Sequence, residues 1–181
     1  MASSPIRSFF VLLLLGVLLL TLALVVRSGI FAAKDPGEPI NASMRAALAE
    51  DRPELSTADS LLIDKLYPTA VVTASGLRYV VRAPGSGGKP AIGDEITADY
   101  AGRLLDGTPF DSSYQRGVPF TFRVGMGQVI KGWDEAFLSM KKGEKRTLII
   151  PYWLGYGAQG HPPSIPPNAT LIFEVQLWDF H

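Results

Sequence analysis

Residues 120–143 read FTFRVGMGQVIKGWDEAFLSMKKG, and the spacing of their apolar side chains changes halfway along. Phe120, Phe122 and Val124 alternate with polar residues, the period of a strand with one buried face. From Lys131 the period lengthens. Trp133, Phe137 and Met140 fall on one side of a helix that carries Lys141 and Lys142 at its end, with Gly143 as the residue beyond the C-cap. Between the two elements, Gly125-x-Gly127 lacks the strand–loop–helix setting and the further glycine of a dinucleotide site, so it reads as a turn. One short amphipathic helix beside a strand needs a sheet to receive its apolar stripe.

The flanking sequence supplies that sheet. Leu77, Arg78, Tyr79, Val80 and Val81 read as a strand, and PGSGGKP at 84–90 as a turn. In 94–104, Ile96, Ala98 and Tyr100 share one face, with Thr97 and Asp99 on the other; 105–108 is a turn signal. Residues 146–150 form a further strand. In 170–178, Leu171, Phe173, Val175 and Leu177 alternate with Glu174 and Gln176. The expected class is α+β: an antiparallel five-stranded sheet wrapped around one short helix, which one face of the sheet buries. Upstream, 42–49 and 58–66 are short helix candidates. The second carries Leu61, Leu62, Lys65 and Leu66 at roughly helical spacing, with Thr57 or Asp59 as its cap. Pro53 separates the two candidates and Pro68 stops the second. Residues 31–75 therefore read as a spacer with partial helix, and a short dimerisation arm is the sharper reading of it.

Residues 9–26, FFVLLLLGVLLLTLALVV, contain no charge and as a helix span roughly 27 Å, close to the hydrocarbon thickness of a bilayer. A cleaved signal has a shorter apolar core and a small-x-small site. Here Phe31-Ala32-Ala33 places a ring where a small residue is needed. A transmembrane anchor within 1–30 is expected, with a cleaved signal and a soluble exported form as the alternative. Arg7 before the span and Arg27 and Lys34 after it leave the orientation close to a tie.

Composition removes several function classes. Seventeen basic residues balance seventeen acidic ones, and the globular part has no basic excess, so no nucleic-acid partner is expected. There is no cysteine, which excludes thiol nucleophiles, disulfides and thiolate metal sites. The two histidines, His161 and His181, are too few for a histidine metal cluster, and no serine has a histidine at motif spacing. No metal or other cofactor is expected. What remains is an unusual number of large rings for about 105 residues: Tyr100, Phe110, Phe120, Phe122, Trp133, Tyr156 and Phe173. A small sheet on one helix cannot bury all of them in a single layer, so some should line a concave apolar pocket.

Six strings in order carry a specific resemblance: Tyr100-Ala101-Gly102; Asp106-Gly107-x-x-Phe110-Asp111-Ser112-Ser113; Pro119-Phe120-x-Phe122; Gly127-Gln128-Val129-Ile130-Lys131-Gly132-Trp133; Met140-x-x-Gly143-Glu144; and Tyr156-Gly157-Ala158 with Pro166-Pro167-Asn168-Ala169-Thr170-Leu171-x-Phe173. From about Gly76 to Phe180 the chain resembles the FKBP family of peptidyl-prolyl cis–trans isomerases. The resemblance implies a pocket with Trp133 as floor and Tyr100, Phe110, Phe120 and Phe173 as walls. It implies Val129 and Ile130 at the rim, where the Ile130 N–H would donate to a substrate carbonyl, and His161 and Ile165 overhanging the pocket. Asp111 and Tyr156 would carry the catalytic polar atoms. Implied too are proline-containing segments of client proteins as partners, tacrolimus and rapamycin as inhibitors, and an extracytoplasmic, periplasmic location. A non-catalytic proline-peptide-binding or chaperone module on the same fold is the alternative. The chain departs from the family at Tyr152-Trp153-Leu154-Gly155, which puts two rings where polar residues are common.

Overall fold

The computed structural model describes residues 53–181. The apolar span at 9–26, the helix candidate at 42–49 and the first part of the spacer lie outside them. Among the described residues no helix is long and apolar enough to cross a membrane.

Ten elements organise the unit. Helix α1 is Thr57–Leu66; strands β1 to β4 are Val71–Val72, Arg78–Ala83, Glu95–Leu104 and Pro109–Ser112; the one-turn helix α2 is Ser113–Arg116. Then come β5 (Phe120–Arg123), α3 (Lys131–Ser139), β6 (Lys145–Ile150) and β7 (Leu171–Phe180), with two 3₁₀ turns, Tyr152–Leu154 and Gly157–Gln159, between β6 and β7. All seven strands join one antiparallel sheet in the order β1-β2-β6-β7-β3-β4, with β5 also paired to β3. The five expected strands are present. β1 and β4 are additions, too short for alternation to register over two and four residues.

The periods read from the sequence hold where burial is one-sided. Along β3, Ile96, Ala98, Tyr100 and Gly102 are buried while their neighbours are half-buried. Trp133, Ala136 and Phe137 of α3, with Met140, face Leu171, Phe173, Val175 and Leu177 of β7 in the main core. The helix ends earlier than expected. Met140 already has an extended backbone, and Gly143, at φ 82°, serves the turn into β6 instead of the helix C-terminus. The last turn is held from outside, by Arg146, whose guanidinium donates to the Ser139 carbonyl at 3.1 Å and to its hydroxyl at 2.6 Å. At Gly132 a Cβ would approach Ile150 to 2.7 Å, so the helix can lie this close to β6 only with glycine there.

The other face of the sheet is covered too. Ile63 of α1 and Tyr67 pack on Ile149 and Ile172 in a second cluster. The compact unit accordingly runs Pro53–His181 and includes α1, which packs on the sheet. Its contact stripe is narrow. Ile63 is fully buried, whereas Leu61, Leu62 and Leu66 of the expected apolar face are exposed. The cap is Ser56, which accepts the Asp59 N–H at 3.0 Å, and neither Thr57 nor Asp59. Trp153 has a structural explanation. Its indole N–H donates to the Ser75 carbonyl at 2.9 Å, and its ring closes over Gly76, tying the turn before β2 to the segment after β6.

Candidate functional site

The site arises from an interruption in the sheet. On one edge of β3, β5 pairs with Glu95 to Ala98 and β4 with Ala101 to Arg103. The chain between β4 and β5 leaves the sheet there as α2. Tyr100 lies at this gap, with Phe110 and Asp111 on β4 beside it and Phe120 opening β5. Across the sheet, Tyr100 pairs with Val175 and Gly102 with Phe173 of β7. α3 then brings Trp133 against all of them.

The result is a cavity of about 240 Å³ lined by Tyr100, Phe110, Asp111, Phe120, Gln128, Val129, Ile130, Trp133, Tyr156 and Phe173. Trp133 sits at its centre, with ring centroids 4.9 Å from Tyr100, 5.2 Å from Phe173 and 5.9 Å from Phe120, all edge-on. Phe110 meets Phe173 edge-on at 5.4 Å. These are the separations at which aromatic quadrupoles attract, so the walls are rigid as well as apolar. Trp133 is 4% exposed, and its indole N–H is buried without a hydrogen-bond partner.

A connected polar group stands beside the rings. The Tyr100 hydroxyl donates to Asp111, and Arg116 donates to Asp111 through one nitrogen and to the Tyr100 oxygen, at 2.6 Å, through another. Asp111 also accepts the Ser112 N–H at 2.8 Å. Burial first, then the hydrogen bond to Asp111, raises the Tyr100 hydroxyl above the ordinary phenol range; burial and the charge of Asp111 do the same for Tyr156. Arg116 is likewise raised, chiefly by its bond to Tyr100. Near neutral pH both phenols therefore stay protonated, as hydroxyl groups able to donate. Nothing here is arranged as a nucleophile with a base, and among the described residues no group of acidic or histidine side chains can hold a metal. The arrangement suits a ligand with a compact apolar ring and a polar backbone lying beside Asp111 and Tyr156.

Residues 87–178 match the family model of the FKBP-type peptidyl-prolyl cis-trans isomerase. The chain belongs to this family. Two curated relatives from Dictyostelium discoideum frame the similarity. FK506-binding protein 1 is 50% identical over 105 residues, 58% of this chain and 98% of that protein. FK506-binding protein 4 is 49% identical over 121 residues, 66% of this chain, but the chain spans only 33% of that protein's length. The crystal structure of FkpA from Escherichia coli superposes with a TM-score of 0.64 at 38% identity, over 77% of this chain and 65% of that one.

Within this FKBP domain the structure brings nine of the eleven expected site residues together around one cavity: Tyr100, Phe110, Asp111, Phe120, Val129, Ile130, Trp133, Tyr156 and Phe173. It does not place the other two as expected. Ile165, 3% exposed and packed in the same core as Tyr100, Trp133 and Phe173, is not among the lining residues; its backbone and that of His161 bond to each other at 2.8 and 3.0 Å. His161 is near the cavity only through Tyr156, on whose ring it stacks at 5.2 Å and 21°. Two residues join the site unforeseen. Gln128 lines the cavity while its side chain accepts the Arg123 N–H at 3.0 Å. Arg116 binds Asp111 from five positions away, a cation after a carboxylate across a one-turn helix. That spacing is visible in DSSYQR, but only if the helix is known.

Gly102 supports two of the walls. A Cβ there would lie 2.7 Å from Phe110 and 2.8 Å from Phe173. Gly102→Ala is expected to cost about 1–3 kcal/mol of stability through overpacking and to displace both rings. Thermal melts together with tacrolimus titration test this. An unchanged melting temperature with unchanged affinity would mean that the rings yield freely and that the glycine has no such role.

Proposed function

We propose that the chain accelerates cis–trans rotation about X-Pro bonds in folding polypeptides, as FKBP-type isomerases do, and does not merely hold proline peptides. The observation that carries this reading is the coexistence of an aromatic-lined cavity with a polar group, Asp111–Tyr100–Arg116, fixed at its edge. Rotation is opposed by ~18–20 kcal/mol of amide resonance. Water stabilises the planar, charge-separated imide; a proline ring seated among the six rings of the cavity displaces it. Trp133 offers a flat floor for the proline ring, and Val129 and Ile130 an apolar rim for the preceding residue. Asp111 and the Tyr156 hydroxyl then interact more strongly with the twisted imide than with the planar one. About 5–6 kcal/mol of such differential stabilisation gives roughly 10⁴-fold. Rotation makes and breaks no covalent bond, so the residues present suffice. The same floor and walls suit the pipecolyl ring of tacrolimus or rapamycin.

The test is turnover of an Ala-Leu-Pro-Phe peptide. Wild type should accelerate isomerisation, and Asp111→Ala should lower kcat/KM about tenfold, ~1.4 kcal/mol, with the fold intact. Tyr156→Phe should cost about 0.5–1.5 kcal/mol, one modest hydrogen bond. Binding of proline peptides without any acceleration would assign the chain to the non-catalytic alternative. Acceleration unaffected by either substitution would remove Asp111 and Tyr156 from the mechanism.

Membrane attachment through 9–26, with the domain on the extracytoplasmic side, is part of the same proposal. It is supported by eighteen consecutive residues without a charge. The full-length protein should remain in the membrane pellet after carbonate washing, and protease added to intact spheroplasts should degrade it. A soluble product beginning near residues 30–34 would establish a cleaved signal instead.

A further inference from the structure

The interruption in β3 leaves one backbone group to be satisfied in an unusual way. On the edge between the partners of β5 and β4, the Tyr100 N–H meets no strand. It donates to the Ser113 hydroxyl at 2.9 Å. Ser113 is fully buried at the start of α2. Its single hydroxyl proton goes to Asp99 at 2.7 Å, a charge-assisted bond, in preference to the Tyr100 carbonyl at 3.3 Å. The second oxygen of Asp99 accepts the Trp178 indole N–H from β7 at 2.7 Å. A continuous chain thus runs from Trp178 through Asp99 and Ser113 to the backbone of Tyr100.

We propose that Ser113, set by Asp99 and Trp178, is the positioning residue that fixes Asp111 and Arg116 against Tyr100. The geometry leaves it that task. α2 is one turn long, and Ser112 before it makes no side-chain capping bond. Asp111 lies two residues before Ser113 and Arg116 three after it, and both bind the same Tyr100 hydroxyl. The Ser113 hydroxyl therefore anchors the segment that carries both groups to the backbone of the residue whose side chain they share. Ser113 is not itself among the residues that line the cavity. Its effect on turnover therefore passes through Tyr100 and the Asp111 and Arg116 side chains held against it, while the Trp133 floor and the Phe110, Phe120 and Phe173 walls are untouched.

This role rests on the isomerase reading, and a double-mutant cycle separates the two. Ser113→Ala should lower kcat about fivefold with KM nearly unchanged, yet alter kcat/KM less than about twofold when Asp111 is already alanine, because residues acting through one another are not additive. Thermal melts on all four proteins report folding. If Ser113→Ala does not fold, Trp178→Phe takes its place in the cycle; Trp178 is 45% exposed, so its loss opens no buried cavity. There the expected factor is about twofold, again vanishing in the Asp111→Ala background. Equal factors in both backgrounds, or a folded variant with wild-type kcat, overturn the positioning role while the isomerase reading stands. A wild type without acceleration overturns both.

Discussion

Trp133→Ala will remove about 3–5 kcal/mol of stability, the usual cost of replacing a buried large ring by a methyl group. The whole unit is held by only about 5–15 kcal/mol, so the melting temperature should fall by roughly 10–20 °C. The cost is at the high end of what a core residue gives because Trp133 is shared. Its ring meets Tyr100, Phe120, Phe122, Phe137 and Phe173 at centroid distances of 4.9 to 5.9 Å, joining α3 to β3, β5 and β7 at one point. Collapse of those rings into the void would also close the floor of the cavity, so proline peptides and tacrolimus should both lose affinity beyond detection. Trp133→Phe keeps most of the ring area and discards an indole N–H that has no partner, and should cost less than about 1.5 kcal/mol. Denaturant melts of the two variants decide the matter. An alanine variant within about 1 kcal/mol of wild type contradicts the packing described.

Arg146→Ala should be as damaging for a different reason. Arg146 and Glu144 form an ion pair at 2.5 Å with side chains only 6% and 7% exposed. The guanidinium also lies 4.3 Å from the centre of the Tyr79 ring and holds the last turn of α3 through Ser139. Glu144 uses its other oxygen to accept the Lys141 N–H at 2.8 Å. Removing the cation leaves an uncompensated carboxylate in the interior, which costs about 3–5 kcal/mol. Arg146→Ala combined with Glu144→Gln should recover a large part of that loss, because the unpaired charge goes with it. The comparison is made by urea melts at low and high salt. Since the pair is buried, the loss should change little with salt; a loss that disappears in salt would describe a surface pair. α3 carries Trp133, so tacrolimus affinity of the single variant is expected to fall together with its stability.

The amino-acid sequence by itself determined the local periods and, through six motif strings in register, the family. Ile96, Ala98 and Tyr100 on β3, and Trp133, Phe137 and Met140 on α3, were legible because burial there is one-sided and repeats over many residues. The aromatic cavity was legible because the rings were too many for one buried layer. Short and shared features were not. β1 and β4 are defined by their partners, since two or four residues carry too little alternation to be seen. The end of α3 was misplaced because Arg146, three residues beyond Gly143, caps it through tertiary contact that no local pattern encodes. α1 was read by its leucines, yet Ile63 is the residue that the outer face of the sheet receives; helix spacing says which residues share a face, and only the docked partner says which face is buried. The resemblance puts Ile165 over the pocket, and the structure shows it buried in the core cluster that also holds Tyr100 and Trp133, in a turn closed by backbone bonds to His161. Arg116 and Ser113 show the same limit. What makes them part of the site is the gap in β3 between β4 and β5, where a hydroxyl replaces a strand and a guanidinium closes on Asp111 and Tyr100, and that gap exists only once distant strands have paired.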